Sequence, residues 1–206
     1  MRLCSRYATL AASLLVVLAG SWVLWKTTDG LSAFTAEAAR RYAVLEKPRP
    51  VPAVDLTASD GQTIGMIDPQ QRPTLVEFIY TNCPTICISL GQEFFRIQTA
   101  AKAAGLDGQI RLLSICFDLE RDSPKSMAGY AELHGADSKN WTVARPKNES
   151  DLREILDTFG ITIIADGDGQ YVHNSALHLV DSSGYLRTIL DIGEHDVAVA
   201  ELGRWR

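Results

Sequence analysis

An apolar, largely β-branched and aromatic run, Leu75 to Tyr80, stops at Thr81-Asn82-Cys83-Pro84, and a second cysteine, Cys87, follows four residues after the first. The run predicts a buried strand. Pro84 suits the first turn of a helix, because its missing N–H needs no partner there. Cys83 is therefore expected where a strand hands over to a helix, with Cys87 one turn further in. Residues four apart share a helix face, so both sulfurs point the same way. The positive end of the helix dipole favours their thiolate forms. Two such sulfurs can close a disulfide or clamp a soft metal such as Cu(I). The plainer alternative is a pair of buried cysteines packed as small hydrophobes. The strand–turn–helix setting argues against it, because reactive thiols occur in that setting.

The rest of the chain supplies a sheet for that strand. Val54 to Met66, with the polar turn Ser59-Asp-Gly-Gln62, reads as a hairpin. A helix is expected from Pro84 to Ala104, burying Leu90, Phe94, Phe95, Ile97 and Gln98 in part, with Gly105 ending it. Gln109 to Asp118 is a second buried strand. Ser123 then caps a helix with Pro124 at its first position, running to His134-Gly135. Trp141 to Ala144 reads as a short strand, Ser150 or Asp151 as the cap of a helix reaching Phe159, and Ile161 to Ala165 as an apolar, β-branched stretch. Leu177–Val180 and Leu186–Ile192 flank the turn Asp181-Ser-Ser-Gly184 as a terminal hairpin, and a short helix closes the chain. Alternating strands and helices predict an α/β fold, a central mixed sheet flanked by helices. In such sheets the reactive site lies at the carboxyl ends of parallel strands, where Cys83 falls.

Ahead of this domain, Tyr7 to Trp25 carries no charge. At about 19 residues it is just long enough to cross a bilayer as a helix. Arg2 and Arg6 precede it, and Trp22 and Trp25 fall where an interfacial belt would lie. The positive-inside rule puts the N-terminus in the cytoplasm. The expected organisation is a single-pass anchor over 1–26, a linker over 27–52 containing a short helix (Ser32 to Leu45) and the extended Lys47-Pro-Arg-Pro-Val-Pro52, and a folded domain over 53–206. A cleaved signal peptide is the competing reading. The small-x-small sequence Ala36-Glu-Ala38 lies far downstream for it, and Leu18-Ala-Gly-Ser21 lacks the cysteine of a lipoprotein site. A domain beyond the membrane meets an oxidising compartment, where a dithiol oxidises unless it is reduced or metallated. Cys4 would lie on the opposite side of the membrane.

With a formal net charge of −5 and no basic stripe, the chain shows no sign of a nucleic-acid partner. Four cysteines are too few for a disulfide-built scaffold.

Three stretches resemble the SCO/SenC family: Phe78-Ile-Tyr-Thr-Asn-Cys-Pro-Thr-Ile-Cys87, Ser114-Ile-Cys-Phe-Asp-Leu-Glu-Arg-Asp-Ser-Pro124, and Val172-His173 eleven residues before Gly184. The resemblance covers Val51 to Ile192. It implies a thioredoxin-like fold on a membrane tether, in a bacterium on the periplasmic face of the inner membrane. It also implies handling of copper for the Cu-A centre of cytochrome c oxidase. It points to Cys83, Cys87 and His173 as copper ligands, and to Asp118 as an acidic neighbour that orients His173 or steers a partner. A cap or an ion pair with Arg121 is the alternative for Asp118. Two thiolates suit Cu(I), and an imidazole helps the site also hold Cu(II). Where the family has proline after the second cysteine and after the aspartate, this chain has Ile88 and Leu119. His178, five residues after His173, is expected to pack in a strand. His134 and His195 are expected at the surface, and Cys116 as an inert buried thiol.

Glu77 opens a second reading. A carboxyl inside an apolar strand, six residues before Cys83, is expected to be desolvated and to exchange protons with a cysteine. That suits a thiol–disulfide oxidoreductase acting on the cysteines of an oxidase subunit or another extracytoplasmic protein. The alternative is that Glu77 faces a polar edge or pairs with a lysine. A peroxidase would need threonine three residues before its reactive cysteine, and those positions hold Tyr80 and Pro84.

Overall fold

The computed structural model describes residues 2–28, 30, 35–83 and 86–205. The chain forms two compact units, Met1–Glu46 and Lys47–Arg206.

In the first unit, α1 (Arg2–Thr27) carries an apolar window, Leu10–Thr27, of mean hydropathy 1.6 with every side chain exposed. By length and composition it can cross a membrane. Its end is closed by hydroxyls: Thr27 donates to the Val23 carbonyl at 2.9 Å and Thr28 to the Leu24 carbonyl at 2.6 Å. The Thr35 hydroxyl accepts from the Ala38 amide at 3.0 Å and so caps α2 (Ala36–Glu46). The expected helix from Ser32 thus starts at Ala36, and residues 31–34 lie outside the described residues.

The second unit runs β1 (Arg49–Pro50), β2 (Asp55–Ala58), β3 (Thr63–Gly65), β4 (Thr74–Ile79), α3 (Ile86–Ala103), β5 (Arg111–Cys116), α4 (Pro124–Leu133), β6 (Trp141–Pro146), α5 (Glu149–Phe159), β7 (Ile163–Ala165), β8 (Tyr171–His173), β9 (Leu177–Val180), β10 (Tyr185–Leu190) and α6 (His195–Arg204). Eight strands form one mixed sheet in the order β1-β10-β9-β4-β5-β6-β2-β3. β4, β5 and β6 are parallel neighbours, and β9 closes on β4 antiparallel. The expected hairpins β2–β3 and β9–β10 form as read. The proline-rich stretch joins the sheet as well, because Arg49 and Pro50 pair with Leu186 and Tyr185 on the β10 edge. An edge is where a strand tolerates proline.

Every residue of β4 and β5 is buried, as continuous apolar runs on a doubly covered sheet require. Successive side chains alternate between faces. Glu77 lies on one face with Ser114, and Phe78 lies on the other, edge-on to Phe159 of α5 and His178 of β9. His178 is fully buried, with Nδ1 3.3 Å from the Val76 carbonyl.

Several helix details differ from expectation for local reasons. α4 starts as read, with the Ser123 capping box closed by Ser126 and Pro124 inside it. α5 is capped by Asn148 rather than Ser150 or Asp151, because the Asn148 side chain reaches the Asp151 amide at 2.9 Å. α3 is described from Ile86, and Pro84 lies outside the described residues. Phe95 is half exposed, while Leu90, Phe94 and Ile97 are buried. His134, expected at the surface, is buried on Tyr130 with ring centroids 4.4 Å apart. It fits because Gly91 leaves room: a Cβ there would meet the imidazole at 2.5 Å. His195 is half exposed, with Nδ1 3.3 Å from the buried Glu93 carboxylate.

A candidate thiol and metal site

β4 delivers its last side chains to the carboxyl end of the parallel strands, and the following turn is pinned from α4's side. The Thr81 amide and hydroxyl donate to Asp122 Oδ1 at 2.9 and 2.6 Å. Asp122 is buried beside Ser123, the cap of α4. The Cys83 amide then turns back onto the Tyr80 carbonyl at 3.3 Å, and the Cys87 amide donates to Cys83 Sγ at 3.4 Å. The structure therefore brings the two motif cysteines together, both buried, where strand gives way to helix. The expectation of a thiolate-prone pair is corrected for Cys87. Burial pushes its thiol well up, and the neighbouring Cys83 and Glu77 add to the rise. Desolvation outweighs the helix dipole, which acts only over the first turn.

Beneath the cysteines lies a buried polar chain. Trp141 Nε1 donates to Ser114 Oγ at 2.8 Å, Ser114 Oγ donates to Glu77 Oε1 at 2.5 Å, and the Tyr130 hydroxyl lies 3.4 Å from the same oxygen and 3.1 Å from the Cys87 carbonyl. Glu77 is wholly buried. Burial pushes its pKa up to about 8, against the lowering effect of the Ser114 and Tyr130 hydroxyls. It holds a proton at neutral pH, and among the described residues no lysine pairs with it. Cys116 is also wholly buried, and burial pushes its thiol up.

His173 sits elsewhere. It ends the two-stranded sheet β7–β8, paired with Ile163, and its ring packs on Phe117 at 5.1 Å. Phe117 in turn meets Tyr80 at 5.3 Å and Tyr171 at 5.6 Å. The Ser175 hydroxyl lies 3.3 Å from Nδ1. Burial pulls the imidazole down to about 4, so it is neutral at pH 7 with a nitrogen lone pair to offer. Among the described residues no three His, Cys, Asp or Glu side chains converge as a metal-holding group. Cys83 and Cys87 are adjacent, and His173 is not gathered with them.

Asp118 does not reach His173 by any hydrogen bond among the described residues. It is buried and ion-paired with Arg121, whose guanidinium also donates to the Gly169 carbonyl and lies 5.2 Å over the Tyr171 ring. Asp118 thus acts on the hairpin through Arg121. Sequence reasoning did not find Tyr80, Phe117, Tyr130 or Ser114 as parts of this site, whereas the Asp118–Arg121 ion pair it offered as an alternative is the one that forms. Ser114 carried a signal, since it is a polar residue in an apolar strand, as Glu77 is. The aromatic residues read as core and carried none.

The SCO1/SenC family model matches residues 44–204. The chain belongs to the SCO1/SenC family. It is 29% identical over 127 residues to the SCO1 protein homolog of Bacillus subtilis (strain 168), a match spanning 61% of this chain and 65% of that relative's length. Among solved structures it superposes on Bradyrhizobium japonicum ScoI with copper bound at a TM-score of 0.63 and 21% identity, over 76% of this chain and 99% of that one. It also superposes on BsSco, a member of the Sco family of cytochrome c oxidase assembly proteins in which a disulfide switch was identified. That match has a TM-score of 0.66 and 22% identity, over 77% and 94% of the two chains. The fold is thioredoxin-like, as the resemblance implied. Ile88, where the resemblance implied a proline, stands partly exposed on α3.

Proposed function

We propose that this chain is a membrane-tethered copper-binding assembly factor. Cys83 and Cys87 hold the metal, His173 completes the ligand set, and copper passes by ligand exchange to the Cu-A subunit of a cytochrome c oxidase or to another copper or thiol client. The observation that carries the reading is the Cys87 amide resting on Cys83 Sγ at 3.4 Å, which sets the first soft sulfur against the start of α3, the helix that carries the second, at the mouth of the sheet. The donor set fits: thiolates suit Cu(I), and a neutral imidazole suits either oxidation state. α1 is the tether of a bacterial inner-membrane protein, its N-terminus cytoplasmic and the folded domain periplasmic. Residues 1–26 anchor the chain and 27–46 space it. The folded domain begins at Lys47, because β1 belongs to the sheet.

The test is a Cu(I) titration of the reduced protein against a competing chelator. Cys83→Ser and Cys87→Ser abolish tight binding, and His173→Ala weakens it by roughly tenfold, ~1.4 kcal/mol. If His173→Ala and the parent bind alike, and both weakly, the reading fails.

Glu77 favours a second activity of the same pair, thiol–disulfide exchange. A protonated carboxyl buried under Cys87 is placed to move a proton as the disulfide opens or closes. A Cys83–Cys87 potential below about −300 mV, the range of structural disulfides, would count against it.

A further inference from the structure

The turn between β5 and α4, residues 117–122, reaches both halves of the site. Its backbone closes on itself, the Asp118 carbonyl accepting the Asp122 amide at 2.8 Å and the Arg121 amide at 3.2 Å. One arm is Asp122, whose Oδ1 holds the Thr81 amide and hydroxyl two residues before Cys83. The other arm is the Asp118–Arg121 pair, whose guanidinium holds the Gly169 carbonyl at the turn of the β7–β8 hairpin that carries His173. A residue of a third strand grips the turn itself. Arg145 of β6 donates from one nitrogen, Nη1, to the Leu119 carbonyl at 2.7 Å and to the Asp122 carbonyl at 2.9 Å. Its own place is fixed by the ladder, opposite Thr57 of β2. Resting on the copper reading above, we propose that Arg145 is a positioning residue for the metal site. By fixing the β5–α4 turn it holds the cysteine turn and the His173 hairpin in register with each other.

Both carboxylates of the turn, Asp118 and Asp122, are buried, and each is spent on a different segment. The brace against the sheet comes from β6. Arg145 Nε is buried without a bond among the described residues, so the grip is made at the tip of the side chain, by Nη1. A guanidinium stays charged at every ordinary pH, so this grip does not titrate. Its bonds are charge-assisted and stronger than those between neutral groups. Each arm is a side chain anchored on the turn's backbone, so a turn released from Arg145 carries both arms with it. Arg145 itself reaches neither Thr81 nor the hairpin by a hydrogen bond among the described residues. An effect on both at once is therefore the mark of the bracket, since local support would show at one. The hairpin's other tie is the Tyr80 hydroxyl, which accepts the Tyr171 amide at 3.2 Å. It leaves from β4's exit and does not pass through the turn, so loss of Arg145 loosens the hairpin without detaching it.

The test has a metal-free arm and a copper arm. Amide hydrogen exchange is measured on the reduced, metal-free full chain in detergent for the parent, R145M and R145K. Cu(I) affinity is then titrated against a competing chelator in each, with and without H173A. R145M keeps the apolar stem and removes the donor. It speeds exchange at Thr81 and over residues 163–173 by about tenfold, the size of a lost charge-assisted bond. The β2–β6 ladder around position 145 keeps the parent's rates. R145K returns both segments to the parent's rates, because one ammonium nitrogen has protons for both carbonyls. R145M lowers Cu(I) affinity by about tenfold with His173 present and by about threefold without it, a non-additivity that damage to the cysteine turn alone does not produce. R145Q carries the same predictions if R145M folds poorly. Acceleration at one segment or neither overturns the proposal, as does acceleration that takes in the ladder. So does an R145K chain as loose as R145M, or equal copper losses with and without His173. A parent that fails to bind Cu(I) against the chelator ends the copper reading and this proposal with it. A parent that binds, beside any of the overturning results, ends this proposal alone.

Discussion

The two halves of the site rest on different foundations. The cysteines leave a strand that is buried along its whole length and flanked on both sides by paired strands. The histidine ends a hairpin whose two strands, among the described residues, pair only with each other, over three residues each, with Ile164 and Val172 largely exposed. The sulfurs gain precision from the frame, with Asp122 and the Glu77 chain holding the turn from two sides. The hairpin depends on side chains: the Tyr80 hydroxyl, the Arg121 guanidinium and the Phe117 ring. The contrast teaches that the two cysteines are placed by the fold while the histidine is held by bonds of a kind that can be exchanged.

Substitutions on the two sides should differ accordingly. Phe78→Ala removes a ring buried against Phe159 and His178. It should cost about 3–5 kcal/mol of unfolding free energy in denaturant titration, whereas a loss below 1 kcal/mol would break the contrast. Asp122→Ala strips both donors of Thr81 of their acceptor. It should cost about 2 kcal/mol, with loosening confined to the cysteine turn in hydrogen exchange.

Glu77 gives the frame a pH signature. The folded carboxyl keeps its proton up to about 8, while the unfolded one releases it near its ordinary value of 4.5. Between those values the folded state binds more protons, so stability falls as pH rises, by up to ~1.4 kcal/mol per pH unit. The groups facing it are Ser114 from β5, Tyr130 from α4, and Cys87 and Cys116, whose thiols burial pushes up and keeps neutral over this range. Glu77→Gln should flatten the slope, and an unchanged slope would place the titrating group elsewhere. Arg121→Ala leaves the buried Asp118 carboxylate without its cation and should cost about 1–3 kcal/mol globally yet speed amide exchange over 163–173. Equal acceleration in β4 would show that hairpin and frame open together. Val172→Ala, at an exposed position, should stay within about 0.5 kcal/mol.

The cysteine turn was legible because its signals are local: an apolar run, a proline and a four-residue spacing. β4, β5, the β9–β10 hairpin and the α4 cap were readable for the same reason. β8 was not, since Tyr171-Val-His173 is short and follows the Asp166–Gly169 turn, and only its pairing with β7 makes it a strand. The exposed reading of His134 failed because Gly91, far away in sequence, makes its pocket. The thiolate expectation failed for Cys87 because a dipole can be inferred from a helix start, but the depth of burial cannot.

By itself the sequence determined the chemistry on offer: two sulfurs one turn apart, an imidazole far downstream, a carboxyl inside a strand and an apolar segment able to cross a bilayer. Tertiary structure alone decided which of these meet. It buried Glu77 under Cys87 through the β4–β5 register, gave Asp118 to Arg121 instead of His173, and packed the imidazole on Phe117 apart from the sulfurs. The reason is that residue identity sets what a group can bind, whereas its protonation, partners and reach depend on desolvation and contacts supplied by segments distant along the chain.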